Sequence, residues 1–201
     1  MFYGFKLILR FFYRFFQQKG LTTRNSFAKV NNYFTENKIA VDLAVDLGCG
    51  DKPKKIIDSS VIAGLDMNPI EGLVKECFLG FDPIPYADNS VNLFTAFDFV
   101  EHIPRHSNIN GRFHNPFIFL MNEIYRTLEA GGLFYSKTPA FPQSVAFRDP
   151  THVNIITSET FYLYFCEPNL YAKRYGFMGR FKIIEQGWDG DHFIAILQKV
   201  A

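Results

Sequence analysis

Four side chains able to share a metal ion or move a proton fall in two short segments of this sequence. In "FDFVEHIP", Asp98, Glu101 and His102 stand at i, i+3 and i+4, so one helical turn would present all three on one side. In "RDPTHVN", His152 supplies a second imidazole. Two carboxylates and two imidazoles could bind Mg2+ or another divalent cation, which would gather acceptor oxygens and lower a hydroxyl pKa. A competing reading is metal-free, with His102 or His152 as general base and Glu101 beside it. A third makes Glu101 and His102 a helix-end pair that shapes a pocket. His106, His114 and His192 read as ordinary surface histidines.

A different chemistry is written in "VDLGCGDKP", residues 45–53. Gly48 and Gly50 let a backbone turn tightly and approach a ligand with no Cβ in the way. A dinucleotide fingerprint would carry a third glycine where Lys52 and Pro53 stand. Asp46 beside the turn suits a cation, such as the ammonium of an amino acid, better than a pyrophosphate. Asp66 closes the next apolar run, "VIAGLD", at the spacing where a carboxylate can take two ribose hydroxyls.

These residues need a sheet edge to hold them. The spacing predicts a helix from Ser26 to Asn37 with Phe27, Val30 and Phe34 on one face. Strands follow at "VDLAVDL", "VIAGLD", "LVKECFL" and "SVNLFTAF". "NPFIFLMNEIYRTLEAGG" predicts a helix capped by Asn115, with Pro116 in its first turn and Gly131 or Gly132 at its end. "LFYSKTP" is a fifth strand, and "FKIIEQGW" and "HFIAILQKV" form a terminal antiparallel hairpin. Residues 104–116 read as a polar loop, either an acceptor lid or a surface connection. The expected fold class is α/β: a Rossmann-like, mostly parallel sheet flanked by helices.

With these segments in order, the chain resembles the class I S-adenosylmethionine-dependent methyltransferases over roughly residues 41–200. "VDLGCG" looks like their first motif, with Asp46, Gly48, Cys49 and Gly50 at the methionine part of the cofactor. "GLDMNP" resembles the second, with Asp66 on the ribose and Met67 against the adenine. "MNEIYRTLEAGGLFYSKTP" is similar to their helix and fifth strand, with Ala130 where a proline is common. The resemblance implies S-adenosyl-L-methionine as cofactor, a seven-stranded sheet of order 3-2-1-4-5-7-6 with the last strand antiparallel, and contacts from Asp82 and Asp98. The E-x-x-E-H pattern of metal-dependent O-methyltransferases acting on quinone precursors and RNA ends is approached by Asp98, Glu101 and His102. Asp98 replaces their first Glu. "DPTHVN" also resembles small methyltransferases of cell-surface glycan synthesis, which implies a sugar-like hydroxyl acceptor; Arg148 would hold its phosphate or pair with Asp149.

Composition bounds the rest. The chain has 201 residues, 48% apolar and 20% charged, enough for one packed domain. Six of its 21 basic residues and none of its 20 acidic ones precede Glu36, so a basic arm joins a mildly acidic body. That balance disfavours nucleic acid as the main partner. We divide the chain into a helical extension, 1–37, and a catalytic domain, 38–201. Residues 1–20 combine Lys6, Arg10 and Arg14 with many phenylalanines. On a helix they would pack on the body, on a second subunit as a homodimer seam, or on a membrane surface. Three unpaired cysteines fit a reducing cytoplasm, and no apolar run reaches the roughly 20 residues of a membrane span.

Overall fold

The computed structural model describes residues 20–58 and 61–201; the phenylalanine-rich arm, residues 1–19, lies outside the described residues. Helix α1 (Thr23–Glu36) begins earlier than Ser26 because Thr22 caps it, its hydroxyl accepting the Asn25 N–H at 3.2 Å. The strands are β1 (Leu43–Leu47), β2 (Val61–Asp66), β3 (Val74–Glu76) and β4 (Val91–Phe97). A short hairpin follows, β5 (Ser107–Ile109) and β6 (Arg112–His114), and then helix α2 (Pro116–Thr127). The chain continues through β7 (Leu128–Phe141), α3 (Val145–Arg148), β8 (Ile156–Thr157) and α4 (Thr160–Phe165). It closes with β9 (Phe181–Asp189) and β10 (His192–Lys199).

The main sheet runs β3-β2-β1-β4-β7-β10-β9, the expected order with β7, β9 and β10 as fifth, sixth and seventh strands. β10 is antiparallel to both neighbours, while β1 to β4 and β7 are parallel. Side chains alternate between two cores, as strand pleating requires. Leu93, Leu133, Tyr135, Ile194 and Ile196 face α1 with its Val30 and Phe34. Phe94, Phe134, Phe193, Ala195 and Leu197 face α2 with its Leu120, Met121 and Ile124. The buried Tyr135 hydroxyl meets Ser26 Oγ at 3.0 Å, which fixes α1 on the sheet.

Two expected boundaries move. Helix α2 ends at Thr127 rather than at Gly131 or Gly132, because Leu128 is already extended and opens β7. Asn115 occupies the cap position without capping; its Oδ1 accepts from His106 Nδ1 at 3.0 Å. The loop at 104–116 folds into the β5–β6 hairpin around Asn110 and Gly111.

Parallel neighbours are usually joined through a helix, yet the described residues between β1 and β2 hold none. Ile56 and Ile57 plug into the core beneath α1 instead, and Asn31 Nδ2 donates to the Ile56 carbonyl at 3.0 Å. Cys49 and Pro53 fold down on β2. A Cβ on Gly64 would stand 2.4 Å from Cys49 Sγ and 2.7 Å from Pro53 Cγ. The residue in the third-glycine place is thus a packing element.

The exit of β4 is clamped to the β9–β10 turn. Asp98 has φ +51, a left-handed conformation uncommon for a residue with a side chain. Its N–H donates to the Lys137 carbonyl at 2.9 Å, and its carboxylate meets His192 Nε2 at 2.9 Å. The other ring nitrogen of His192 lies 2.6 Å from Asp191 Oδ1. Lys137 Nζ reaches Asp189 at 2.9 Å and Thr23 Oγ1 at 2.6 Å, joining the same turn to the start of α1. His192 is therefore a structural partner of Asp98 and not a free surface histidine.

Two stability predictions follow. Gly64→Ala must displace Cys49 and Pro53, so urea denaturation should show a loss of about 1–3 kcal/mol. The hydrogen bond to Asp98 raises the His192 pKa against the opposing effect of burial. That stabilisation is full below the ordinary histidine value and fades as pH rises through the raised one. Burial would raise the Asp98 pKa, but the His192 hydrogen bond and charge outweigh it and hold it low. Its share appears above the ordinary carboxylate value and is lost as pH falls through the depressed one. The melting-temperature gap between wild type and His192→Gln should thus be widest between roughly pH 4 and 6.5 and narrow on either side.

Candidate functional site

The carboxyl ends of β1, β2, β4 and β7 gather most of the residues singled out by sequence. After β1 the chain turns through Gly48 and Gly50, with φ +62 and +60. Both angles lie where L side chains are strained. Nothing stands within 4 Å of where a Cβ on Gly50 would project, so that side of the turn is open. Asp66, ending β2, accepts the Gly50 N–H at 2.9 Å and the Asn68 N–H at 3.0 Å, and so joins the two turns. Met67 beside it is 58% exposed.

Asp46 stands differently from its expected role. Its side chain is buried beneath the turn, where Oδ1 accepts from Thr95 Oγ1 at 2.6 Å and Oδ2 from the Lys54 N–H at 2.8 Å. Burial raises its pKa against these two hydrogen bonds. Both oxygens thus brace the loop from inside. Burial together with Asp46 and Asp66 pushes the Cys49 thiol up to about 11, which keeps it protonated at neutral pH. Asp82 lies exposed in its own turn, where Oδ2 accepts the Phe78 N–H at 3.0 Å.

A 3-10 turn, Val100–His102, carries the acid and the imidazole after β4. Ligand atoms of Glu101, His102 and His152 lie within 4.8 Å of one another. Asp98 is not among them. The expected single helical face does not form, because the left-handed backbone at Asp98 sends its side chain to His192 instead. Glu101 is 1% exposed and accepts from Thr138 Oγ1 at 2.7 Å. Burial raises its pKa, opposed mainly by that hydrogen bond. Its other oxygen and His152 Nδ1 are buried with no hydrogen-bond partner.

The tautomer of His102 follows from its neighbours. Thr151 Oγ1 donates its one proton to Asp149 Oδ1 at 2.6 Å, so at 3.0 Å from His102 it accepts from Nδ1–H. His102 Nε2 is left with a lone pair. Asp149 therefore orients this imidazole, a role that sequence reasoning missed; the D-x-T spacing of an Asx turn was the available signal. No ion pair forms between Arg148 and Asp149 among the described residues, and Arg148 is exposed.

The Arg105 side chain donates to Asn154 Oδ1 at 2.7 Å and to the Ile155 carbonyl. The buried Asn154 in turn donates to the carbonyls of Glu101 and Val100, at 2.8 and 2.9 Å. Behind this pair lies a cavity of about 530 Å3 with Phe117, Leu163 and Phe165 among its apolar walls and Arg105, Tyr164 and Tyr175 among its polar ones.

No protein-family model matches the chain, and no curated protein matches it. Solved structures match its fold. An S-adenosylmethionine-dependent methyltransferase from Clostridium acetobutylicum has a TM-score of 0.56 at 9% identity, covering 87% of this chain and 91% of its own. A SAM-dependent methyltransferase from Archaeoglobus fulgidus has 0.52 at 16%, covering 93% and 99%. CalH, a trans-methyltransferase solved with SAH, has 0.57 at 13%, covering 89% of this chain and 55% of its own. The chain thus has the mostly parallel, helix-flanked α/β fold found in SAM-dependent methyltransferases.

Proposed function

We propose that the protein is an S-adenosylmethionine-dependent methyltransferase acting on a hydroxyl of a small polar molecule, with a sugar-like acceptor as our reading of the "DPTHVN" segment. The observation that carries this is the glycine turn at Gly48–Gly50, open on the Gly50 side, joined to the Asp66 carboxylate and set at the same sheet edge as Glu101, His102 and His152. The residues present fit the cofactor. Gly50 leaves space above the backbone, and Asp66 Oδ2, which accepts the Gly50 N–H, keeps a lone pair for a ribose hydroxyl. With no helix start behind the turn among the described residues, it lacks the aligned amides that a pyrophosphate favours.

In this reading Asp66 holds the ribose and Met67 offers an apolar surface to the base. Asp46 keeps the turn in shape from below. Asp98, ionised and half-exposed, is the carboxylate placed to attract an ammonium group. The bound cofactor supplies a methyl group on a positively charged sulfur. His102 Nε2, with its lone pair fixed by Thr151 and Asp149, takes the proton of the acceptor hydroxyl. The 530 Å3 cavity that Arg105 lines has the size and mixed lining of a small-molecule site.

A metal-assisted version is favoured by one specific observation: Glu101 and His152 each keep a buried, unpartnered atom in the three-residue group. One carboxylate and two imidazoles fit Mn2+ or Zn2+ better than Mg2+. Glu101, His102 and His152 would hold the ion, and it would lower the pKa of an acceptor hydroxyl. The basic aromatic arm is read as a peripheral membrane contact or a dimer seam of a cytoplasmic protein. The acidic body keeps nucleic acid the less favoured partner.

Isothermal titration should show saturable binding of S-adenosylmethionine and S-adenosylhomocysteine, weakened about tenfold or more by Asp66→Ala, a loss of about 1.4 kcal/mol or more. No binding by the folded wild type would defeat the reading. Titrating Mn2+ into metal-stripped protein separates the two versions. A single site lost in Glu101→Gln and His152→Ala is the metal-assisted outcome, and no site is the metal-free one.

A further inference from the structure

Phe99 supplies the three side-chain atoms nearest to where a Cβ on Gly48 would stand. A Cβ built on Gly48 would fall 2.0 Å from Phe99 Cδ2 and 2.4 Å from Cγ. The ring therefore rests on the glycine itself and forms a wall of the turn. Its position is imposed rather than incidental. The left-handed backbone at Asp98 folds the chain back over the end of β1, and His192 and the Lys137 carbonyl hold Asp98 there. Phe99 is only partly buried against the core, so the ring is not fully used in packing.

An apolar wall at this place needs no aromatic ring. A leucine would fill similar space without one feature, the negative face of the π system, which attracts cations. The two ligands expected at this edge differ by one charge: the sulfur is positive before methyl transfer and neutral after it. We infer that Phe99 is a specificity-determining residue of the cofactor site, whose ring favours the charged sulfonium cofactor over its neutral thioether product. This rests on the methyltransferase reading above and adds to it a means of releasing the spent cofactor. The contribution of a ring to a cation, ~0.5–1.4 kcal/mol at partly exposed sites, corresponds to about two- to tenfold in affinity.

The test is titration of S-adenosylmethionine and S-adenosylhomocysteine into the full chain as wild type, Phe99→Leu and Phe99→Tyr, with Trp188 fluorescence and circular dichroism confirming a folded protein. Phe99→Leu should weaken S-adenosylmethionine by about two- to tenfold and leave S-adenosylhomocysteine nearly unchanged, and Phe99→Tyr should keep the wild-type ratio. Equal loss of both ligands, or no change in their ratio, would overturn the inference while leaving the cofactor site intact. A wild type that binds neither ligand removes the methyltransferase reading and this inference together. If Phe99→Leu does not fold, the ratio of affinities in Phe99→Met decides the same question.

Discussion

The carboxyl edge of this protein depends on a single left-handed residue. Asp98 ends β4 by reversing the backbone direction, and three placements follow from it. Phe99 falls on Gly48, Glu101 reaches Thr138 on β7, and His102 comes within reach of the segment around Thr151. A residue with a side chain in this region carries a conformational cost that its surroundings must offset. Here the offset is visible in the Lys137 carbonyl on one side and His192 on the other. The ion pair is therefore better understood as part of the site's geometry than as a surface ornament.

Below that edge, the polar groups divide into those already satisfied and those left waiting. Asp46, Asn154 and Thr138 are buried, and each is engaged in hydrogen bonds that hold loops in place. Burial without a partner is costly, so such groups are normally paired. Glu101 Oε1 and His152 Nδ1 break that rule within one small cluster. These two atoms stand apart from the buried unpartnered atoms elsewhere in the protein in lying together, among groups able to hold a metal ion. The same logic reassigns Asp46, whose two engaged oxygens make it a brace.

Much of this was legible in the sequence. Each parallel strand of the core was marked by its apolar run, and the strand order followed from a resemblance carried by several separate segments. Gly48, Gly50 and Asp66 were visible because few residues serve a tight turn and a strand-end acid. The unseen parts have physical reasons. Spacing at i, i+3 and i+4 predicts one helical face only if the backbone is helical, and one φ angle at Asp98 removes that premise. His192 carries no local signal, since its partner lies far away in sequence. Leu128 opens a strand where helix propensity and the later glycines suggested another turn, because pairing with Val91 decides it. The Asn110-Gly111 hairpin signal went unread within the polar loop expected at 104–116, because its flanking residues are too polar to read as strands.

The clamp has a consequence for the order in which the site comes into being. A chain emerges from its N-terminus, and the glycine turn, Asp66 and the Glu101 segment are made well before the β9–β10 hairpin. Until Asp189 and His192 arrive, Asp98 lacks its imidazole partner and Lys137 lacks Asp189. Strands β1 to β4 can associate earlier, but the outer hairpin must pair with β7 before the central loops acquire their final shape. Synthesis thus delivers the scaffold first and the working geometry last.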